Sequence, residues 1–508
     1  MRETVPRLRA RRSGLAASPS RLLLSMLLVV GSACSASIKP SGIRGPGEPS
    51  AGTGGTAAVG GSGGAGAAST PAATSGSGGS FVVARSEEMF GDSPAAGCKN
   101  LQCQQYNCAT GSTTISGQVF DPAGRNPLYN VAVYVPNEAV KPLAQGASCD
   151  ACDAMYSGKA VVSTLTDAQG RFKLEKAPDG ANIPLVVQIG KWRKQVVVPN
   201  VTRCQDNVLP KALTTLPRNR SEGDIPNIAI ATGSADTLEC LLRRVGVDAS
   251  EYTPGAGGEG RVHIFQGSPR GGRESPNTSP PAPLAAEALW TSADALMAYD
   301  VVLLSCEGQE TIGMNQQALH DYADRGGRVF ASHYHYAWFN SGPYAEENLA
   351  LWTPGSQDVG NINASIVTTF PKGQALHQWL MNNDALVNGE LLIEEARHNA
   401  DVTAEHDVSQ PWIVGAPTSQ APGATQYFSF NTPTEQAKVP DGKLCGRVVF
   451  SDLHVGAASE DNTRMAVPAS CSDVQLSPQE KALEFMLFDL SACVIPDDVP
   501  PVPPPMLD

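Results

Sequence analysis

The hydrophobic period changes partway along this chain, and that change limits the folds open to it more than any other feature. Between residues 113 and 215 apolar side chains recur at every second position. "TISGQVFDP" alternates Ile115, Gly117 and Val119; "NVAVYVP" puts Val131, Val133 and Val135 on one face; "ANIPLVVQIGKWRKQVVVP" supplies two further runs, broken at Gly190 and Lys191. Short strands separated by turn residues, with no helical period, predict a small all-β sandwich. From 222 to 495 strands alternate with helical periods, which predicts an α/β domain on a parallel sheet. "IPNIAIATG", "RVHIF", "VVLLS", "RVFAS" and "GRVVFSD" read as its strands. "SADTLECLLRRVGV" reads as a helix with Leu238, Leu241, Leu242 and Val245 on one face and Gly246 ending it, and "NQQALHDYADRGG" as another. The last helix is signalled by Ser477 as cap, Pro478 in the first turn, Glu480 completing a capping box, and a stripe of Leu483, Met486, Leu487 and Leu490. At 508 residues the chain is too long for one core, so a multidomain architecture is expected.

The N-terminus has a different character. Arginines precede the apolar stretch "LLLSMLLVV", which is too short to span a bilayer and reads as a secretory signal peptide covering residues 1–34. "GSAC" resembles a bacterial lipoprotein cleavage box, with Gly31 where that box has leucine; the resemblance implies lipidation of Cys34, and ordinary signal cleavage near "ACSAS" is the alternative. Residues 35–80 are nearly all Gly, Ala, Ser, Thr and Pro, a composition that cannot offset its own ordering entropy. They read as a disordered tether that holds the folded part on the order of 35 Å from a membrane anchor. A Cys-rich lead-in follows at 81–112, and a Pro-rich tail closes the chain at 496–508. With a net charge of −13 the chain lacks the clustered cations that nucleic acid demands, so the expected partners are a membrane, through the anchor, and a carbohydrate or envelope protein.

Twelve cysteines in an exported chain point to disulfides. Cys98, Cys103, Cys108, Cys149, Cys152 and Cys204 form an even set before residue 210, which can close on itself; Cys240, Cys306, Cys445, Cys471 and Cys493 form an odd set that leaves one thiol over if pairing stays within domains. Cys306 is the candidate for that thiol, and Cys445 and Cys471 join the earlier six as disulfide candidates. "CDAC" at Cys149 and Cys152 also has the spacing of zinc and redox sites, but it lies in a loop between strands, where structural disulfides are the favoured reading.

"ISGQVFDPAGRNPLYNVAVYVP" followed by "TLTDAQGRFKLEKAP", with Thr166, Asp167, Gly170 and Phe172 in a tight hairpin, resembles the carboxypeptidase regulatory-like domain, a transthyretin-type sandwich. The resemblance implies a non-catalytic spacer or adhesion module. "YDVVLLSCEGQ" through "DRGGRVFASHYHYAWF", with "GRVVFSDLHVG" late in the chain, resembles the class I glutamine amidotransferase-like fold and its trehalose-utilisation branch. That implies a flavodoxin-like sheet. In amidotransferases the nucleophilic cysteine stands on the turn that here holds Ser332 and His333, so the departure argues against amidotransfer, and Cys306 lies one strand earlier.

Open α/β sheets bind ligands at the carboxyl ends of their strands. Cys306 and Glu307, then Ser332, His333 and His335, then Asp452 and His454 are expected at that edge, with Trp338 among the ligand-binding rings of "SHYHYAWF". Imidazoles and a carboxylate suit a divalent metal such as zinc or iron, with His333, His335 and His454 as its ligands. The same groups can serve as general acid and base, with His333, His454 and Cys306 as the catalytic set. In an extended stretch His333 and His335 would share a face. Ser234 and Asp236 read as caps of the first helix, and Glu394, Glu395, Arg397, His398, Glu405, His406 and Asp407 as loop residues able to reach the site. Three functions stay open: a carbohydrate-binding or partner-binding envelope lipoprotein, a hydrolase or sugar-modifying enzyme, and a purely structural surface protein.

Overall fold

A computed structural model describes residues 97–149, 152–267, 285–312, 315–415, 424–435, 443–456, 461 and 467–507. The signal peptide, Cys34, the tether and the start of the lead-in fall outside the described residues. All described residues lie in the compact unit Ala84–Asp508. Among them no helix is long and apolar enough to cross a membrane.

The period-2 region forms two facing sheets. One has the order β4-β1-β7, from Arg171–Leu174, Thr114–Gln118 and Asp206–Val208. The other has the order β3-β2-β5-β6, from Ala160–Leu165, Ala132–Pro136, Gly180–Ile189 and Trp192–Val201. A single turn of helix, α1 (Lys211–Thr214), leads out of the sandwich.

The second region is a ten-stranded mixed sheet. Its parallel half runs β9 (Tyr252–Pro254), β10 (Val262–Gln266), β8 (Ile228–Thr232), β11 (Val301–Leu304), β12 (Arg328–Ser332) and β19 (Gly446–Ser451). The expectation of a parallel sheet holds for this half alone. Beyond β19 the sheet continues antiparallel through β18 (Thr425–Thr432), β17 (Ser409–Gly415), β14 (Asp358–Ile366) and β15 (Leu391–Arg397). Glu394, Glu395 and Arg397 therefore sit on a strand, not in a loop. A two-stranded ribbon pairs β13 (Leu351–Trp352) with β16 (Ala400–Asp401).

The central strands are buried along their length, which is why they read as continuous apolar runs. Successive side chains still part company. Ile228, Ile230, Val301, Leu303, Phe330 and Val449 enter a core shared with α2 (Leu238–Val245), α5 (Pro371–Asn382), α6 (Pro478–Ser491) and the sandwich. Ala229, Ala231, Val302, Leu304, Val329 and Phe450 enter the opposite core, beneath α3 (Ala293–Leu296) and α4 (Gln316–Asp324).

Helix α6 joins the two regions. Its capping box closes between Ser477 and Glu480. It is buried on nearly every side, not along one stripe, because Phe485 stacks on Tyr129 and Phe488 meets Trp192 edge-on, both sandwich residues. Gly190 makes this approach possible: a Cβ there would stand 1.8 Å from the Ser491 carbonyl oxygen.

Disulfides cross the same seam. Cys98 pairs with Cys103, Cys108 with Cys204, and Cys240 with Cys471, but Cys149 pairs with Cys445 and Cys152 with Cys493. Four of the six early cysteines close among themselves, but Cys149 and Cys152 do not, because the loop that carries them leaves the sandwich and meets the second region. Ala147 N–H donates to the Met297 carbonyl, and Lys443 Nζ donates to the Cys149 carbonyl. Cys306 is the free cysteine among the described residues.

A buried pair of carboxyl groups also lies on the seam. Asp121 from the sandwich and Glu484 of α6 are close enough to act on each other's titration, and Asn126 Nδ2 donates to Glu484 at 2.6 Å. Burial first, then the neighbouring Asp121, drives Glu484 well above the ordinary carboxylate range, and burial pushes Asp121 up to about 6; Lys481 and Arg125 offset this only partly. In the unfolded chain both groups ionise near pH 4. The folded state therefore holds protons that the unfolded state releases. The resulting stabilisation is complete below about pH 4, declines as pH rises beyond that, and is lost once pH has passed the folded values, about 6 for Asp121. Glu484→Gln keeps a donor toward Asp121 and cannot ionise. Urea unfolding at pH 5 and pH 8 should show wild-type stability falling by on the order of 2 kcal/mol more than that of the variant. Equal falls would contradict the shared proton.

Candidate metal centre

Four parallel strands deliver their chain ends to one edge. β8 leads to Gly233 and Asp236, β11 to Cys306, β12 to His333 and β19 to His454. Leu304 of β11 pairs with Ala331 of β12, so the residues two places further on, Cys306 and His333, leave the sheet side by side. Ser332 pairs with Ser451 of β19, which brings His454 in from the other flank. Gly233 allows the first loop to close over this edge, since a Cβ there would lie 2.0 Å from the Cys306 carbonyl oxygen.

His333 stands at the turn out of β12 with φ of +40°, a region that non-glycine residues seldom adopt. Its Nδ1 lies 3.4 Å from Cys306 Sγ and 3.2 Å from His454 Nε2. All three donor atoms fall within 4.8 Å of one another, and all three residues are buried. His333 Nε2–H donates to the Ser356 carbonyl at 3.2 Å, a contact that leaves the Nδ1 lone pair facing the cluster.

Ligand atoms of a tetrahedral zinc site, bonded at about 2.0 Å to nitrogen and about 2.3 Å to sulfur, are separated by roughly 3.3 Å for nitrogen pairs and roughly 3.6 Å for nitrogen and sulfur. The edges at 3.2 and 3.4 Å come near these values, and the third, between Cys306 Sγ and His454 Nε2, is no longer than 4.8 Å. Burial pushes His333 down to about 2, with His454 and Arg397 adding to the effect, and burial pushes His454 down to about 3. Burial also raises the Cys306 thiol to about 12. The resting cluster is therefore two neutral imidazoles and a neutral thiol. That is a poor nucleophile pair, because attack requires a thiolate.

Asp236 fixes the edge. Its carboxylate accepts from Ser332 Oγ at 2.6 Å, Val455 N at 2.9 Å and Thr237 N at 3.1 Å, so it ties the residues beside His333 and His454 to the loop after β8. Burial pushes its carboxyl up to about 6. Sequence reasoning takes Asp236 for a helix cap, but Thr237 holds the cap position of α2. Ser332 is thus a partner of Asp236, and Ser234 Oγ donates to the Glu307 carbonyl.

Other expected site residues are placed elsewhere. His335 is buried, but its Nδ1 faces the Ser332 carbonyl at 3.2 Å and it stands outside the cluster. The reason is local: His333–Trp338 is a 3₁₀ turn, so residues two apart diverge where an extended stretch would align them. Trp338 is a core residue. It packs edge-on against Trp290 and donates Nε1–H to the Thr311 carbonyl, so its ring is not offered to a ligand. Asp452 is fully buried and accepts from Asn399 N at 2.8 Å, and burial pushes it up to about 7. Glu307 is buried beside the cluster. Of the charged residues in "EEARHN" and "AEHD", Arg397 acts on the site, depressing both His333 and His454 by its charge. His398 bonds Asp401, and His406 caps its own turn at Thr403.

No family model matches this chain, and no curated protein does. Two solved structures share local similarity. One is a chain of a mutant type II cohesin–X-dockerin complex from Acetivibrio cellulolyticus, at 14% identity over 27% of this chain and 85% of that one, with a TM-score of 0.16. The other is a 9R-lipoxygenase from Cyanothece PCC8801, at 16% identity over 26% of this chain and 19% of that one, with a TM-score of 0.13.

Proposed function

We propose that the chain is an exported, lipid-anchored protein of the bacterial envelope, in which a regulatory-like sandwich presents a flavodoxin-like α/β domain that binds a transition metal and, through it, a ligand. The observation that carries this reading is the convergence of Cys306 Sγ, His333 Nδ1 and His454 Nε2. A thiolate with two imidazoles suits zinc, whereas magnesium and calcium require oxygen donors. With the three-residue edge strand β9 left aside, the parallel strands β10-β8-β11-β12-β19 run 2-1-3-4-5 in chain order, which supports the flavodoxin-like assignment and puts the donors where such sheets bind ligands. The signal-like start and the Gly/Ala/Ser tether support export and anchoring. Arg397, paired at 2.9 Å with an Asp358 side chain that is 62% exposed, favours a ligand that carries negative charge and can compete with that carboxylate, such as an acidic sugar.

A hydrolase is the second reading, favoured by the donor count. Catalytic zinc sites use three protein ligands and leave a fourth position to water or substrate. There the bound metal would supply a water acidic enough to attack at neutral pH. Cys306, His333 and His454 would hold the ion, and Arg397 would orient an anionic substrate.

Zinc content decides the reading. The mature chain, dialysed against zinc and then against buffer, should retain one equivalent by atomic emission. Cys306→Ala and His454→Ala should each retain less than about a tenth of that, with unchanged circular dichroism. His335→Ala should retain the full equivalent. A wild type that holds no zinc, or a His335→Ala as empty as His454→Ala, would overturn the assignment.

A further inference from the structure

A second site lies on the sandwich side of α2, away from the histidine cluster. A cavity of about 310 Å³ opens there, and four arginines line it: Arg125 from the turn after β1, Arg218 from the segment joining sandwich and sheet, and Arg243 and Arg244 from the last turn of α2. The disulfide between Cys240 and Cys471 fixes its far wall, on which Ser472 and Asp473 stand. For a chain of net charge −13 this is an unusual concentration of cations.

The arginines are unequally neutralised. Arg244 is fully buried between Asp461, at 3.0 Å, and Glu480, at 2.7 Å, yet its Nε–H is buried without a hydrogen-bond partner. Arg243 spends a donor on the Val247 carbonyl. Arg218 reaches Asp248 only at 3.8 Å, with half of its side chain exposed. Arg125 pairs with Asp473 at 3.2 Å, but the Asp473 side chain is 89% exposed, so that pair is weak. Three incompletely neutralised arginines thus line a concave space in which Asp473 is the one carboxylate among the lining residues, with Asp248 outside that lining.

We propose that this cavity binds a phosphomonoester, with Arg125, Arg218 and Arg243 forking its oxygens and Asp473 standing in the place the phosphate takes. Guanidinium forks match phosphate oxygens two at a time, and a dianion meets the surplus positive charge better than one carboxylate does. A cavity of this size, at the small end of small-molecule sites, admits a phosphorylated sugar as well as the bare group. The same headgroup chemistry occurs in free metabolites and in phospholipids. Neither the metal donors nor Arg397 take part, so the inference stands apart from the zinc reading.

Calorimetric titration of the full mature chain with a hexose 6-phosphate and with inorganic phosphate, alongside flotation with vesicles containing phosphatidic acid, tests it. Arg125→Gln and Arg243→Gln should each weaken phosphate binding at least 10-fold. Asp473→Asn, which removes the competing carboxylate, should tighten it about 3-fold or more, a gain that a damaged fold would not give. Cys306→Ala should bind phosphate as wild type does. Binding of the soluble ester alone identifies a free metabolite as the source, and Arg-dependent binding of vesicles identifies a lipid headgroup. No binding in either arm, or binding indifferent to Arg125, Arg243 and Asp473, overturns the proposal.

Discussion

A chain carrying C149S, C152S, C445S and C493S together is expected to unfold at a markedly lower guanidinium concentration than wild type, with roughly 5 kcal/mol or more of stability lost. These bonds link positions 296 and 341 residues apart, so reduction frees very long loops in the unfolded chain. Both start from one short loop that is otherwise held by a few hydrogen bonds, such as those at Ala147 and Cys149. The sandwich would still meet α6 through Tyr129, Trp192, Phe485 and Phe488, so partial unfolding of the loop should precede global loss. Limited proteolysis should therefore cut the variant first near residues 140–155. An unfolding free energy within about 1 kcal/mol of wild type would mean that the clasp is dispensable and that the apolar seam alone joins the two regions.

Asp236→Ala is expected to cost on the order of 3 kcal/mol and to weaken zinc binding 10-fold to 100-fold, although Asp236 is not itself among the donors. The substitution strands Ser332 Oγ and Val455 N–H inside the protein, each next to a histidine of the cluster. Asp236 is thus a positioning residue. Asp236→Asn retains an acceptor for Val455 and Thr237 and can donate to Ser332, so it should keep zinc affinity within a few-fold of wild type. Competition against a chromophoric chelator at fixed pH measures both variants. Equal affinity in wild type and Asp236→Ala would show that the edge holds its shape without this tie.

Much of this was legible in the sequence, for definite reasons. The central strands are continuous apolar runs because both faces are covered, and the last helix announces itself through Ser477 and Glu480. The antiparallel half was not legible. In β14 the pairing slips between Asp358 and Gly360 and again between Gly360 and Ile362, and β15 carries Glu395 at φ of +53°, so alternation breaks where a strand would be recognised. Disulfide partners follow from the path of the "CDAC" loop, which no local pattern encodes. His335 was expected beside His333 because alternation was assumed where a 3₁₀ turn occurs. Cys306 and His333 are 27 residues apart, and only the pairing of β11 with β12 makes them neighbours.

The central claim is that one sulfur and two imidazoles meet at a metal. X-ray absorption at the zinc edge of the zinc-loaded protein addresses it directly. The account predicts a first shell with one sulfur at about 2.3 Å and imidazole nitrogens at about 2.0 to 2.1 Å, with the sulfur lost in Cys306→Ala. A shell of nitrogen and oxygen only, or one that Cys306→Ala leaves unchanged, would contradict it.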